Sequence, residues 1–437
     1  MESSHNLVSI FKYDGTINPL KNAIEQCNGF SELKENDKVL LKPNIVWGGG
    51  GTNKMPKYGF ITTSRMVEDI IQLLSQHGCR NISIGEGTTE DKEFGSNTLK
   101  GYKWSGIANV AKKYGVKLID FNKESYKQFE LNGTKIEISN AALEADFLIN
   151  LPVLKTHAQT KVSLGLKNLK GCLSMGSKKK FHEGDLEHMI SLLNTQVKPK
   201  LTIIDGIYAM ERGPTASGLA HRMDLIIAGK DNLSCDIVGS TVLGIEPSSM
   251  GHLGKFALLI NRSLDINLID IRGEKIENIL RKLEWESDPE NIFRRAKISG
   301  ISLQFPGKHY CSGCVVHTEG VLSAFCKDNM GMDFDSIEIC AGSEVKPKKD
   351  SKKVFLIGNC SISANKELKD AFRLKGCPPK GVEMLMTLVK ETSDKGRATK
   401  ILLGRVVKDI AHRIGIYNED FPTYQHYESP EFDPRHF

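Results

Sequence analysis

No apolar run in the 437-residue chain approaches the roughly 18 residues that a membrane-spanning helix needs, so no contact with a bilayer is expected. The opening residues, MESSHNLVSIFKYDG, lack the basic and then apolar order of an export signal, which makes the cytoplasm the expected compartment. Nucleotide fingerprints are missing as well, since neither GxxxxGK[ST] nor GxGxxG occurs. Acidic residues are absent from position 155 to position 180. Aromatic side chains make up 7% of the chain and do not interleave with the lysines of that stretch, which argues against a nucleic-acid surface. A net charge of +6, from 59 basic and 53 acidic residues, is too dispersed to imply a polyanionic partner.

What remains is a chain with ample apolar content, 40%, too long for one core. Short β-rich runs alternate with helical patterns: DKVLLKPNIV and NISIGEG flank TTSRMVEDIIQLLSQHG, where Met66, Ile70, Ile71 and Leu74 fall at helical spacing between an N-cap at Thr63 or Ser64 and a stop at Gly78. Further strands are expected at GVKLIDF, ADFLINLPVL, KLTIIDGIYAM and MDLIIAGKD. This predicts an α/β fold, an open and largely parallel sheet flanked by helices, with ligands bound beyond the carboxyl ends of its strands. The alternation breaks over residues 285–300. We therefore expect an α/β substrate-binding domain over 1–295, a smaller cysteine-rich α/β domain over 296–392, and a C-terminal helix and extended arm over 393–437, the arm either packing on the body or on a second subunit of a homodimer or forming a disordered tail.

Ten cysteines without an export signal point to buried thiols, metal or catalysis rather than a disulfide framework. Six lie between 311 and 377. Cys311 and Cys314 form a C-x2-C pair, while Cys360 in GNC and Cys377 in KGCPP each follow a glycine or its neighbour where backbone can approach closely. Pro378 and Pro379 halt the chain at Cys377. Four such thiolates suit one [4Fe-4S] cluster; zinc and unliganded thiols are the alternatives, and the absent second C-x2-C together with the C-P ending favours the cluster. Cys326 and Cys340 read as core residues.

The lysines carry the other half of the argument. LPVLKTHAQTKVSLGLKNLKGCLSMGSKKKFH leaves an apolar strand and presents Lys155, His157, Lys161, Lys167, Asn168 and Lys170 with no carboxylate to pair them, so an anionic small molecule is expected to, a solvated basic face being the alternative. Lys42 and Asn44 stand at another strand end, before a glycine run that could cradle an anion or act as a lid. Glu86, Asp205 and Glu211 each follow a strand and are candidate acids or bases. Lys155, His157, Asp205 and Glu211 are the candidate catalytic set; Lys42, Asn44, Glu86, Lys161, Lys167 and Asn168 the candidate substrate-binding set.

LKPN, LPVLKTH with its trailing GLKNLKG, IDGI with a following GP, and then CSGC, GNC and KGCPP resemble, in that order and over residues 38–390, the domain-of-unknown-function family 362, which often carries an iron-sulfur region. The resemblance implies fold and cluster more than reaction. Relatives carry a compact C-x2-C-x2-C-x3-C-P run, whereas these cysteines are spread out, which implies one integrated cluster. A more distant architectural likeness is to the lactate racemase fold. The expected activity is an iron-sulfur oxidoreductase that reduces or oxidises the anion, fed by an external ferredoxin-like donor, since no flavin or nicotinamide motif is present. Alternatives are an electron-transfer or docking subunit of a redox complex, and a non-redox enzyme braced by a metal centre.

Overall fold

Alternate residues of the central strands enter two different cores, and that period of two builds a three-layer domain. The computed structural model describes residues 6–48, 57–90, 95–213, 218–285, 291–304, 312–393 and 430–432. Its strands are β1 (Leu7–Lys12), β2 (Val39–Pro43), β3 (Ile82–Glu86), β4 (Lys117–Asp120), the hairpin β5 (Tyr126–Leu131) and β6 (Thr134–Ser139), β7 (Phe147–Leu151), β8 (Val153–His157), β9 (Lys161–Val162), β10 (Leu201–Glu211), β11 (Leu219–Gly229) and β12 (Asp270–Gly273). A second set follows: β13 (Ser299–Gln304), β14 (Asp333–Ala341), β15 (Lys353–Ile357) and β16 (Phe372–Leu374).

The large sheet runs β12-β1-β11-β10-β7-β2-β3-β4, with β8 pairing β10 and β9 pairing β8. Its β10-β7-β2-β3-β4 half is parallel. The expected strand MDLIIAGKD lies in β11, which is antiparallel to both β1 and β10, so the sheet is mixed. Val39, Leu41, Phe147 and Ile149 join the core beneath helices Asn18–Gln26 and Ser64–Gln76, while Leu40, Leu148 and Ile204 join the opposite core, beneath helices Leu186–Gln196 and Asn232–Val242. Burial on both faces explains why β2 and β7 read as continuous apolar runs. Helix Ser64–Gln76 begins at the N-cap Thr63, whose hydroxyl accepts from Met66 N, and ends before Gly78 at φ +98°.

Strands β13 to β16 form a separate, wholly parallel sheet. Its core draws on residues from Phe293 to Val389 and includes helices Ser312–Asp328 and Gly381–Thr392. Of the C-terminal arm, Pro430–Phe432 is described, as one 3-10 turn packed on the first domain; residues 394–429 and 433–437 lie outside the described set, as does the glycine run from Gly49. Among the described residues no helix is long and apolar enough to cross a membrane.

Candidate functional site

The parallel strands β2, β3 and β8 end at one edge of the large sheet, and each delivers a charged side chain there: Lys42, Glu86 and Lys155. Lys42 is 1% exposed. Its Nζ donates to Glu86 Oε2 at 2.8 Å, Pro43 O at 2.8 Å and Asn168 Oδ1 at 3.2 Å. Glu86 also accepts from Ile45 N and Gly87 N, so this buried ion pair has its hydrogen bonds satisfied. Gly171 is the close approach that permits it, because a Cβ there would stand 2.4 Å from Glu86 Oε1 and 2.5 Å from Lys42 Nζ. Asn168 ties the strands together: it accepts from Lys42 and from Asn44 Nδ2 at 3.0 Å, and donates to Lys42 O and Asn150 Oδ1.

Lys155 is 1% exposed and donates to Asn44 Oδ1 at 2.5 Å and Phe60 O at 2.7 Å. Burial, reinforced by the Lys42 charge, brings its pKa down to about 7. Lys167 is lowered to about 7 by burial and by Lys155, and Lys178 to about 8, chiefly by burial. His157 Nδ1 accepts from Gln159 N at 3.1 Å, so the neutral ring carries its proton on Nε2 as a donor. Burial, with Lys167, Lys155 and Lys170 nearby, holds His157 well below its ordinary pKa. These groups line a cavity of about 250 Å³ together with Lys170, Lys178, Lys179 and His182. His182 hydrogen-bonds Lys170, while its own Nδ1 is buried without a partner. An anion in this cavity would relieve the mutual depression of the ammonium groups.

The structure thus brings Lys42, Asn44, Glu86, Lys155, His157, Lys167 and Asn168 to one cavity. Three expected residues are elsewhere. Asp205 lies inside β10, not at its end, and accepts from Thr63 N, Thr63 Oγ1 and Ile207 N; it holds the start of helix Ser64–Gln76, with burial raising its pKa to about 6. Glu211 accepts from Glu284 N and pairs with Arg212 and His221. Lys161 stands over the Trp285 ring at 4.9 Å, lining a different cavity. Conversely, Lys178, Lys179 and His182 were not singled out, and Lys170 was singled out but left out of the substrate-binding set, although the acid-free run that nominated Lys155 and Lys167 extends through all four.

Further wall comes from the segment that follows the small sheet's β16: Cys377 and Pro378 line the same cavity. Cys360 lies in the first turn of helix Gly358–Ala364, directly after β15, Cys377 lies just after β16, and Cys314 opens the helix that follows β13. All three are therefore at the carboxyl edge of the small sheet. Asn359 stitches two of the segments, its N–H donating to Gly376 O at 3.0 Å and its Oδ1 accepting from Gly376 N at 2.9 Å. Gly358, at φ +82°, is required by its left-handed backbone and lies next to the third, since a Cβ there would meet Cys314 Sγ in ordinary contact at 3.8 Å. Cys314 and Cys360 are half-buried and Cys377 is exposed, whereas Cys326 and Cys340 are buried, their thiols pushed up to about 12 by burial. Among the described residues no group of three or more His, Cys, Asp or Glu is arranged to hold a metal ion, and Cys311 lies outside them. Cys314, Cys360 and Cys377 thus share one sheet edge and are at least partly accessible.

Residues 39–241 match the model of a family described as Domain of unknown function (DUF362). The match covers the lysine cavity and stops short of Cys314, Cys360 and Cys377. A thylakoid-associated protein, sll1697, of Synechocystis sp. is 26% identical over 238 residues, 53% of this chain and 71% of that protein. Among solved structures, the lactate racemase apoprotein from Thermoanaerobacterium thermosaccharolyticum aligns over 96% of this chain and 82% of its own, at 13% identity and a TM-score of 0.36.

Proposed function

We propose that the protein is an iron-sulfur oxidoreductase acting on a small anionic molecule in the lysine-rich cavity, with Cys311, Cys314, Cys360 and Cys377 holding one [4Fe-4S] cluster. The observation that carries the reading is the composition of the cavity wall, which combines Lys155, His157 and Lys167 of the α/β domain with Cys377 and Pro378 of the second domain. The cluster, when bound, supplies one-electron chemistry, replenished by an external ferredoxin-like protein. The chain's own groups do the rest. Lys167 and Lys155 bind and orient the anion, whose charge raises their pKa values back toward the ordinary lysine range. His157 presents Nε2–H as a hydrogen-bond donor to the anion, and Asn44 and Phe60 O hold the Lys155 amine in place. A volume of about 250 Å³ limits the ligand to a small molecule.

Electron paramagnetic resonance of the reduced full-length protein, prepared without oxygen and titrated with phosphate and a series of small dicarboxylates, tests this. An anion is expected to shift the cluster signal, with Lys155→Met or Lys167→Met weakening its binding tenfold or more. A cluster signal that no anion perturbs would overturn the reading. The pKa of about 7 at Lys155 also favours a second reading, a non-redox proton-transfer enzyme in which the metal centre braces the fold. In that case turnover would persist when the cluster is held oxidised.

A further inference from the structure

Glu431 and Phe432 are 4% and 2% exposed, although they sit in the polar, proline-bounded stretch YESPEFDPRHF. The Phe432 ring meets Tyr58 edge-on at 5.7 Å, and Lys57 Nζ lies 5.4 Å from its centroid. Tyr58 in turn packs edge-on against Tyr208 at 4.7 Å, with the Arg222 guanidinium 5.3 Å from the Tyr208 ring. Arg222 donates to Glu431 Oε1 at 3.2 Å and the Tyr208 hydroxyl to Oε2 at 3.3 Å, so both carboxylate oxygens are engaged. The backbone is read too. Ser64 Oγ donates to Glu431 O, and Gly106, at φ +82°, makes room for Phe432 O, which would otherwise lie 2.2 Å from a Cβ. Charge, ring and backbone of a two-residue sequence each meet a matching group on the α/β domain.

We infer that this face of the α/β domain is a receptor for a peptide segment in which glutamate precedes an aromatic residue, that the chain's own tail supplies the segment, and that its seating fixes the turn holding Lys155. The link is short. Lys57 and Tyr58 contact the motif or its neighbour, and the same turn is closed by Phe60 N and Ile61 N donating to Lys57 O at 3.0 and 3.1 Å. Phe60 O is the acceptor for Lys155 Nζ. A tether to the second domain gives the tail a high effective concentration, so modest intrinsic affinity keeps the site filled.

The test uses the full chain carrying Glu431→Ala and Phe432→Ala, with a fluorescent peptide spanning residues 427–437 as probe. The variant is expected to bind the peptide, with affinity at least tenfold lower when the peptide carries Phe432→Ala or the protein adds Arg222→Ala, and the unaltered chain is expected to bind far more weakly because its site is filled. Failure of a folded variant to bind, or indifference to Phe432→Ala, overturns the receptor. Hydrogen exchange in the full chain with Arg222→Gln gives an independent reading should the double variant not fold. Exchange at Phe60 and Ile61 should rise at least tenfold with β2 and β7 unchanged, and unaltered exchange there overturns the link to Lys155.

Discussion

Lys155 points its ammonium at two uncharged acceptors, Asn44 Oδ1 and Phe60 O, while Lys42 and Lys167 add like charge nearby. A pKa lowered to about 7 in the folded chain and ordinary in the unfolded one means that the unfolded state binds more protons above pH 7. Stability contributed through Lys155 therefore rises with pH from about 7, at up to roughly 1.4 kcal/mol per pH unit for one proton. Thiols of the unfolded chain begin to ionise near pH 8.5, which bounds the clean window from above. Urea denaturation between pH 7 and 8.5 should accordingly give a shallower pH slope for Lys155→Met than for the parent chain; equal slopes would mean that Lys155 is not held neutral in the fold. Lys155 and Lys167 were legible because an acid-free lysine run has no ordinary surface role. Asp205 and Glu86 looked alike, each a carboxylate after an apolar run. What separates them is strand length: β3 stops at Glu86, whereas β10 continues to Glu211, leaving Asp205 between Ile203 and Ile207 and facing Thr63. The expected strand KLTIIDGIYAM already ran past Asp205; the part the sequence did not carry is the long-range contact with Thr63.

Among the elements, the short helix Gly165–Asn168 matters most, since it carries Lys167 and Asn168 into the cavity. It is too short to stand by itself and is held from outside. Asp236, on helix Asn232–Val242, accepts from Gly165 N at 2.6 Å and Leu166 N at 2.9 Å, and Asn150 Nδ2 donates to Gly165 O. Asp236→Ala leaves two buried N–H groups without acceptors, which costs roughly 2–6 kcal/mol at about 1–3 kcal/mol per group. Urea denaturation should find that loss, and the variant should bind small anions more weakly than Asp236→Asn, which keeps one acceptor; a loss under about 0.5 kcal/mol, the range of ordinary surface substitutions, would show the helix to be held otherwise. Strands β2, β3, β4, β7, β10 and β11 and the helix Ser64–Gln76 were readable from period and caps. The antiparallel β1, β11 edge was not, because alternation of apolar residues is the same in both directions of pairing.

At the scale of the molecule, two sheets turn their carboxyl edges toward one cavity. The large sheet brings Lys42, Glu86 and Lys155, and the small one brings Cys377. The clustering of cysteines between 311 and 377 was plain in the sequence, but the position of Cys377 beside the lysines was not, since it arises from the packing of two sheets whose motifs are more than a hundred residues apart. Open α/β sheets bind ligands at this edge, and the arrangement here would set a cluster and an anion side by side. Iron and acid-labile sulfide analysis of the full chain purified without oxygen tests that account most directly. It predicts about four irons and four sulfides per chain, lost on Cys377→Ala. A parent chain that carries zinc alone, or iron that Cys377→Ala leaves in place, would contradict it.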